Sequence, residues 1–296
     1  MKETLHKIWD YLLDAGIATL TQLLVLLGPL LILALIMNLI ARKNENLSYK
    51  VLGQKTYLYV FGWLGTSVHE LGHAIFAIIF AHKVSEIKLF TPTSGKSLGQ
   101  VKHSYTKGNP YQTMGNFFIG LGPILLGTLL LFAVTWFLFD LNIFSIAEKY
   151  EVVFSSGLFK SFDAAKHAVT NIGKGVWHCF DQILTGPKTN WWKLALFFYL
   201  FYSIGSSITL SGSDIKGSFR GFVYFLVVLF LFNLCTIWIG SFTTDFFRQI
   251  NQYLSGFYFL IILSMGLNVI FIALLGIINL LLSMLPNQKS SRKTKK

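Results

Sequence analysis

The sequence predicts an all-α polytopic membrane protein with about six transmembrane helices and one small cytoplasmic-side β-hairpin. The chain has 296 residues, of which 53% are hydrophobic and only 13% are charged. Its mean hydropathy of +0.58 lies outside the range of an ordinary soluble domain of this length. Several apolar runs reach the roughly 20 residues that an α-helix needs to cross a bilayer. Residues 1–296 therefore read as a single integral membrane domain.

The excess of positive charge predicts membrane-flanking side chains rather than contact with nucleic acid. The chain carries 25 Lys and Arg against 13 Asp and Glu, a formal charge of +12. Because no basic stretch is interleaved with aromatic residues, we expect no nucleic-acid partner. Cys179 and Cys235 are too few for a disulfide framework. The first apolar run is too long for a removed signal peptide, so we expect it to be retained as a span.

Six apolar stretches are the candidate spans, and they define the expected topology. They cover 17–41, 57–81, 112–139, 191–213, 219–240 and 254–285. Because successive connections lie on opposite sides of the membrane, both termini and residues 82–111 fall on one face, and residues 42–56 and 140–190 fall on the other. The first face is richer in Lys and Arg, so we expect it to be cytoplasmic. A compact chain without a targeting segment favours a bacterial inner (cell) membrane.

Two of the connections contain elements of their own. Partly alternating apolar residues on either side of a Thr-Ser-Gly-Lys-Ser turn at 93–97 predict the β-hairpin, over residues 84–106. An isolated hairpin is marginal in water, so we expect it to lean on the membrane helices. In the extracytoplasmic segment 140–190, apolar residues recur at near-helical spacing from 157 to 184. This spacing predicts an amphipathic helix at the outer interface.

The second span contains three titratable groups within five positions, in the sequence HELGH. His69 and His73 are four residues apart, so both imidazoles project from one helix face and can bind one metal ion. Glu70 lies beside them, where it can polarise a water molecule. An unpaired carboxylate near mid-membrane costs at least about 2.5 kcal/mol. This cost favours a Zn²⁺ hydrolase site over a pair of hydrogen-bonded core histidines.

A catalytic zinc ion needs a third protein ligand, and the carboxylates near the membrane are few. Those within or at the edge of a predicted span are Glu70, Asp140, Asp214 and Asp245. Asp140 and Asp245 fall on the outer face. Asp214 lies at the inner end of the fourth span, after a run of Ser and Thr that suits a wet cavity. We therefore expect Asp214 as the ligand, with a solvated turn residue as the alternative. For Asp214 to meet the two histidines, the helices must be offset or the Ser-Gly-Ser-Asp stretch must break and tuck inward.

The sequence resembles the site-2 protease family of intramembrane zinc metalloproteases. The shared features are HELGH in a membrane helix, a hairpin directly after it, GLGP in the next span and SGSDIKG in a later one. The resemblance covers about residues 57–218, which would form the metalloprotease core. The Asp motif lacks the Asn-Pro that commonly accompanies it in the family. The roughly 50 residues between the third and fourth spans are too few for a PDZ domain.

The resemblance implies a role for each matching residue. His69, His73 and Asp214 would bind one zinc ion, and Glu70 would be the catalytic base. The hairpin edge would pair with an extended segment of a transmembrane protein substrate. Two other hypotheses remain open: a catalytically silent relative that binds transmembrane partners, and a metal-binding or transport protein in which Glu70 is a ligand.

Overall fold

The computed structural model describes residues 2–92, 98–150, 161–239 and 242–284. Within these ranges, helices dominate and one two-stranded antiparallel sheet is present. The helices are α1 (Lys2–Val51), α2 (Gln54–Tyr57), α3 (Trp63–Ile79), α4 (Pro110–Phe139), α5 (Ile143–Lys149), α6 (Phe162–Thr185), α7 (Trp191–Gly205), α8 (Gly212–Thr236) and α9 (Phe242–Met284), and the strands are β1 (Lys83–Lys88) and β2 (Gln100–Ser104). The predicted turn at 93–97 and the basic tail at 287–296 lie outside the described residues.

Among the described residues, four helices are long and apolar enough to cross a membrane: Lys2–Val51, Pro110–Phe139, Gly212–Ile239 and Tyr253–Met284. The mostly helical fold with a small hairpin is confirmed, and the apolar helices indicate an integral membrane protein. The count of six spans is not confirmed. α3 has 17 residues and α7 has 15, so each is shorter than a hydrocarbon core about 30 Å thick. α3 does continue a helical run that starts at Gln54 and includes a π turn, Leu58–Gly62.

α1 is longer than the predicted span 17–41, and the predicted connection at 42–56 is mostly helical. The helix runs on to Val51, and Gly53 turns the chain into α2 with a φ of 84°, a conformation that favours glycine. Hydropathy failed to mark this end because polar residues continue a helix that packs against other helices. Asn44 is buried and donates to Asn268 Oδ1 over 2.7 Å, while Ser48 hydrogen-bonds Tyr202 over 3.1 Å.

The fourth predicted span, 191–213, is wrong in its last third. α7 ends at Gly205, residues 206–211 are not helical, and α8 begins at Gly212. Serine hydroxyls compete with the helical hydrogen bonds here: Ser206 Oγ donates to Ser203 O over 3.0 Å and Ser207 Oγ to Ile204 O over 2.6 Å. Asp214 consequently lies in the first turn of α8, after the break rather than before it.

Glycines allow α4 to pack closely against its neighbours α3 and α8. A Cβ atom added at Gly72 of α3 would lie 2.6 Å from the backbone nitrogen of Pro123 in α4. One added at Gly122 would meet the carbonyl group of Gly72. A Cβ at Gly221 of α8 would meet the backbone of Phe117. Because these side chains are absent, the backbones of α3 and α8 both approach α4 directly.

The hairpin folds back along the helical run 54–79. β1 and β2 pair antiparallel from Lys83↔Ser104 to Lys88↔Gln100, with an irregularity between Val84 and Glu86. At the far end, Phe90 packs edge-on against Tyr59 with ring centroids 6.0 Å apart. The hairpin therefore leans on the second predicted span, and its cytoplasmic location stays a prediction.

α6 covers most of the stretch in which the sequence predicts an amphipathic helix. Its Ser161 N-cap accepts a hydrogen bond from the Ala164 N–H over 3.1 Å. Gly175, Cys179 and Ile183 are buried on one face, and the helix continues through its glycines. The first residues of the predicted stretch, 157–160, lie outside the described part, and the helix's place at an outer membrane interface stays a prediction.

Candidate active site

Three side chains from two distant parts of the sequence converge on one point. Nε2 of His69 lies 3.7 Å from Asp214 Oδ2, and Nε2 of His73 lies 3.3 Å from Asp214 Oδ1. The two Nε2 atoms are themselves 3.3 Å apart. One ligand atom from each residue lies within 4.8 Å of the others, and each side chain is at most 16% exposed. The structure thus brings together the three residues that the sequence predicts as ligands.

The opposite edge of each imidazole is fixed by a backbone carbonyl. His73 Nδ1 lies 2.8 Å from Ile119 O, and His69 Nδ1 lies 3.0 Å from Ser207 O. Since a carbonyl oxygen only accepts, both Nδ1 atoms carry a proton, and in the neutral rings both Nε2 atoms present a lone pair. This is the tautomer that a metal-binding histidine needs, with its second nitrogen hydrogen-bonded. The residues present therefore fit a divalent metal ion.

The sequence GLGP explains why the Ile119 carbonyl is available. In an α-helix this carbonyl would accept the N–H of the residue four positions later, which is Pro123 and has no N–H. The close contact between Gly72 and Gly122 then brings α3 near enough for His73 to use the freed carbonyl.

His69 depends on the break after α7 in a comparable way. Ser207 lies in the non-helical stretch, so its carbonyl is turned toward α3 rather than along a helix axis. Gly65 lies one turn before His69, and a Cβ added there would meet the carbonyl of Ser203 and lie 3.2 Å from Ser207 Cβ. The glycine lets α3 and α7 approach closely enough for the hydrogen bond.

Asp214 is oriented by the start of α8. Ser211 and Asp214 form a capping box: Asp214 N–H donates to Ser211 Oγ over 3.1 Å, and Ser211 N–H donates to Asp214 Oδ2 over 2.8 Å. Its Oδ1 atom is thereby directed at His73. The capping box therefore positions the carboxylate of the candidate metal site.

Glu70 lies beside the three candidate metal ligands but is not one of them. Its carboxylate accepts a hydrogen bond from the backbone N–H of Val101 in β2. Gly99 packs directly over its side chain, since a Cβ added there would lie 2.5 Å from Glu70 Cγ. The hairpin therefore holds the carboxylate at the edge of the site, next to the histidines.

These groups line one cavity of about 720 Å³. The hairpin contributes residues of β2 and those just before it, namely Leu98, Gly99, Gln100, Val101 and His103. The stretch between α7 and α8 contributes Ser206, Ser207, Thr209 and Ser211. The sequence therefore correctly indicates that this polar run lines a cavity. Glu45, His103 and Asn116 also line it, and no local sequence pattern identifies them because only long-range packing brings them there.

Within the described residues, Asp140 and Asp245, the other carboxylates near predicted span ends, do not belong to the group formed by His69, His73 and Asp214. Asp140 ends α4 with a left-handed φ of 60° and forms an ion pair with Lys188 over 2.7 Å, with its side chain 56% exposed. The side chain of Asp245 lies outside the described part of the structure.

One family model, described as Peptidase M50B-like, matches residues 30–147. The match covers less than half of the chain and includes HELGH, the hairpin and GLGP, but ends before Asp214. It supports membership of the site-2 protease family, and M50 peptidases are in general zinc metalloproteases. No curated protein and no solved structure matches the chain.

Proposed function

We propose that this chain is an intramembrane zinc metalloprotease that hydrolyses peptide bonds of membrane-embedded proteins. The observation that carries the proposal is the convergence of the two Nε2 lone pairs with the Asp214 carboxylate, with Glu70 beside them. Two neutral imidazoles and one carboxylate, with one position open, form a ligand set typical of catalytic zinc. His69, His73 and Asp214 would hold the ion.

Glu70 is the proposed general base. When bound, zinc supplies Lewis-acid chemistry that polarises a scissile carbonyl and acidifies water. Glu70 takes a proton from the attacking water and returns it to the leaving amine. The hydrogen bond from Val101 keeps the Glu70 carboxylate next to the ligands and outside the donor group. This placement favours Glu70 as a general base. In a transport protein, Glu70 would instead be a metal ligand.

The proposed substrate is a transmembrane helix that unwinds before cleavage. Its amides are bonded within the helix, so an extended segment needs new hydrogen-bond partners. β2 is the strand that lines the cavity, and the N–H of Val101 points out of the hairpin toward Glu70. Apart from the Val101 N–H, which already donates to Glu70, the outer edge of β2 would offer these partners by strand addition.

We also propose a bacterial inner membrane as the location, with both termini in the cytoplasm. The Lys and Arg bias of the connections supports this orientation. It puts the hairpin on the cytoplasmic side of the lipid bilayer.

Purified protein with a generic membrane-helix substrate tests the proposal. We expect about one zinc ion per chain, cleavage that a chelator stops, and recovery when zinc is added back. Glu70→Gln is the matched control because it keeps the side-chain shape. Zinc binding without cleavage in the wild-type protein would favour a silent or metal-handling protein instead.

A further inference from the structure

A second pair of histidines lies at the base of the hairpin. Nδ1 of His82 is 2.9 Å from Nδ1 of His103, and His82 Nε2 is 2.7 Å from the carbonyl oxygen of Gln112 in α4. His82 is only 6% exposed, and its ring stacks on Tyr105 with centroids 5.0 Å apart. The His82 ring is therefore held by the Gln112 carbonyl at one edge and by Tyr105 on its face.

This chain of hydrogen bonds determines which nitrogen carries each proton. The Gln112 carbonyl only accepts, so His82 Nε2 carries a proton and, in the neutral ring, His82 Nδ1 accepts. His103 Nδ1 must then donate to it. The remaining nitrogen, His103 Nε2, is left with a free lone pair in the neutral pair.

His103 presents this lone pair at the catalytic cavity. It lines the cavity from β2 but is outside the group formed by His69, His73 and Asp214. Within the described residues, Nε2 of His103 has no hydrogen-bond partner and is not among the buried unpaired atoms, so it is accessible. Burial, together with the nearby His82 and His73, lowers the pKa of His103 below its ordinary value. This shift favours the neutral ring.

We propose that His103 is a substrate-contacting residue that accepts a backbone N–H of the unwound substrate. His82 is a positioning residue that fixes the tautomer of His103. An unwound peptide brings N–H donors that have lost their helical partners, and a strand beside β2 passes the cavity that His103 lines. The inference rests on the proposed protease activity and adds a contact for its substrate.

Three variants test the two roles through steady-state cleavage and zinc content. His103→Leu removes the acceptor, and we expect kcat/KM to fall about 10-fold or more with zinc content unchanged. His103→Gln restores an acceptor oxygen and should recover much of that loss. His82→Phe keeps a ring on Tyr105 but frees the tautomer, so it should lower kcat/KM by less than His103→Leu. Lys102→Gln, on the same strand, is the matched control.

Each outcome decides the inference. The role of His103 is overturned if His103→Leu cleaves like the wild type, if His103→Gln is as impaired as His103→Leu, or if the leucine variant loses zinc. The positioning role of His82 is overturned if His82→Phe cleaves like the wild type. A wild-type protein that binds zinc but does not cleave would end the proposed function, and this inference with it. If the wild type cleaves and Glu70→Gln does not, the proposed function stands whatever the His103 variants do.

Discussion

The carbonyl oxygen of Ile119 lies 2.8 Å from Nδ1 of His73, and the proline four residues after Ile119 leaves this carbonyl without a helical donor. The hydrogen bond joins α4 to the candidate metal site in α3. Pro123 contributes no ligand atom, yet its missing N–H permits the histidine tautomer that zinc needs. GLGP thus belongs to the site through its backbone.

Replacing that proline should weaken zinc binding. In Pro123→Ala the new N–H competes with His73 for Ile119 O, and we expect zinc affinity to fall about 10-fold, as it does when an outer-shell partner of a ligand is lost. A competing chelator measures the affinity. Pro29→Ala is the matched control, because Pro29 also lies inside a helix, α1, which contributes no residue to the group formed by His69, His73 and Asp214. Equal affinities for Pro123→Ala and the wild type would show that the freed carbonyl is unimportant.

Glu70→Gln should separate metal binding from catalysis. The amide preserves the shape of the side chain but cannot take a proton from water, so we expect at least about a 100-fold loss of kcat with normal zinc content. Zinc analysis and single-turnover cleavage are the measurements. Loss of zinc in this variant would instead identify Glu70 as a ligand.

Asp214 and Asp140 offer a direct comparison of two carboxylates. Asp214→Asn removes the charge while its amide oxygen can still accept from Ser211, so α8 keeps its cap. We expect this variant to lose most of its zinc and its activity. Asp140→Asn should keep both, since it only breaks an exposed ion pair with Lys188. Ser211→Ala reports the effect of losing the cap alone. Full zinc occupancy in Asp214→Asn would rule out the carboxylate as a ligand.

Gly99→Ala tests whether the hairpin holds the base in place. The added methyl group would lie 2.5 Å from Glu70 Cγ and 2.9 Å from Leu89 O. We expect Glu70 to shift and kcat to fall about 10- to 100-fold, because small misplacements of a catalytic group are costly. Zinc content should not change. Gly108→Ala is the control, with nothing within 4 Å of its Cβ, and a Gly99→Ala enzyme as active as this control would contradict the prediction.

The parts of the site that the sequence predicts most directly depend on local spacing. His69 and His73 share a face because any helix places residues four apart on one side. Asp214 is indicated by the cost of a carboxylate near the membrane. Its position after the helix break is harder to predict, because serine hydroxyls and the packing of α7 and α8 decide where the helix ends. The role of all three as zinc ligands stays a prediction.

Other features depend on contacts between residues far apart in the sequence. Glu45 lies in a region that hydropathy assigns to a connection, yet α1 continues and brings it to the cavity. His103 is one polar residue in a short strand until His82 fixes its ring. Hydropathy measures how long an apolar run is, and it contains no information about such pairings.

The break between α7 and α8 has a consequence for hydrogen exchange. Residues 206–211 lack a regular helical ladder and are flanked by helices that have one. At membrane depth such backbone is tolerated where it lines a water-filled cavity, and hydroxyl-bearing residues of this stretch line the cavity beside the histidines. The amides of this stretch make only turn and cap hydrogen bonds, which open more easily than the ladder of a packed helix. Deuterium from the solvent should therefore label them before the amides in the middle of α7 and α8. This labelling would trace the route by which water reaches a reaction carried out inside a lipid environment.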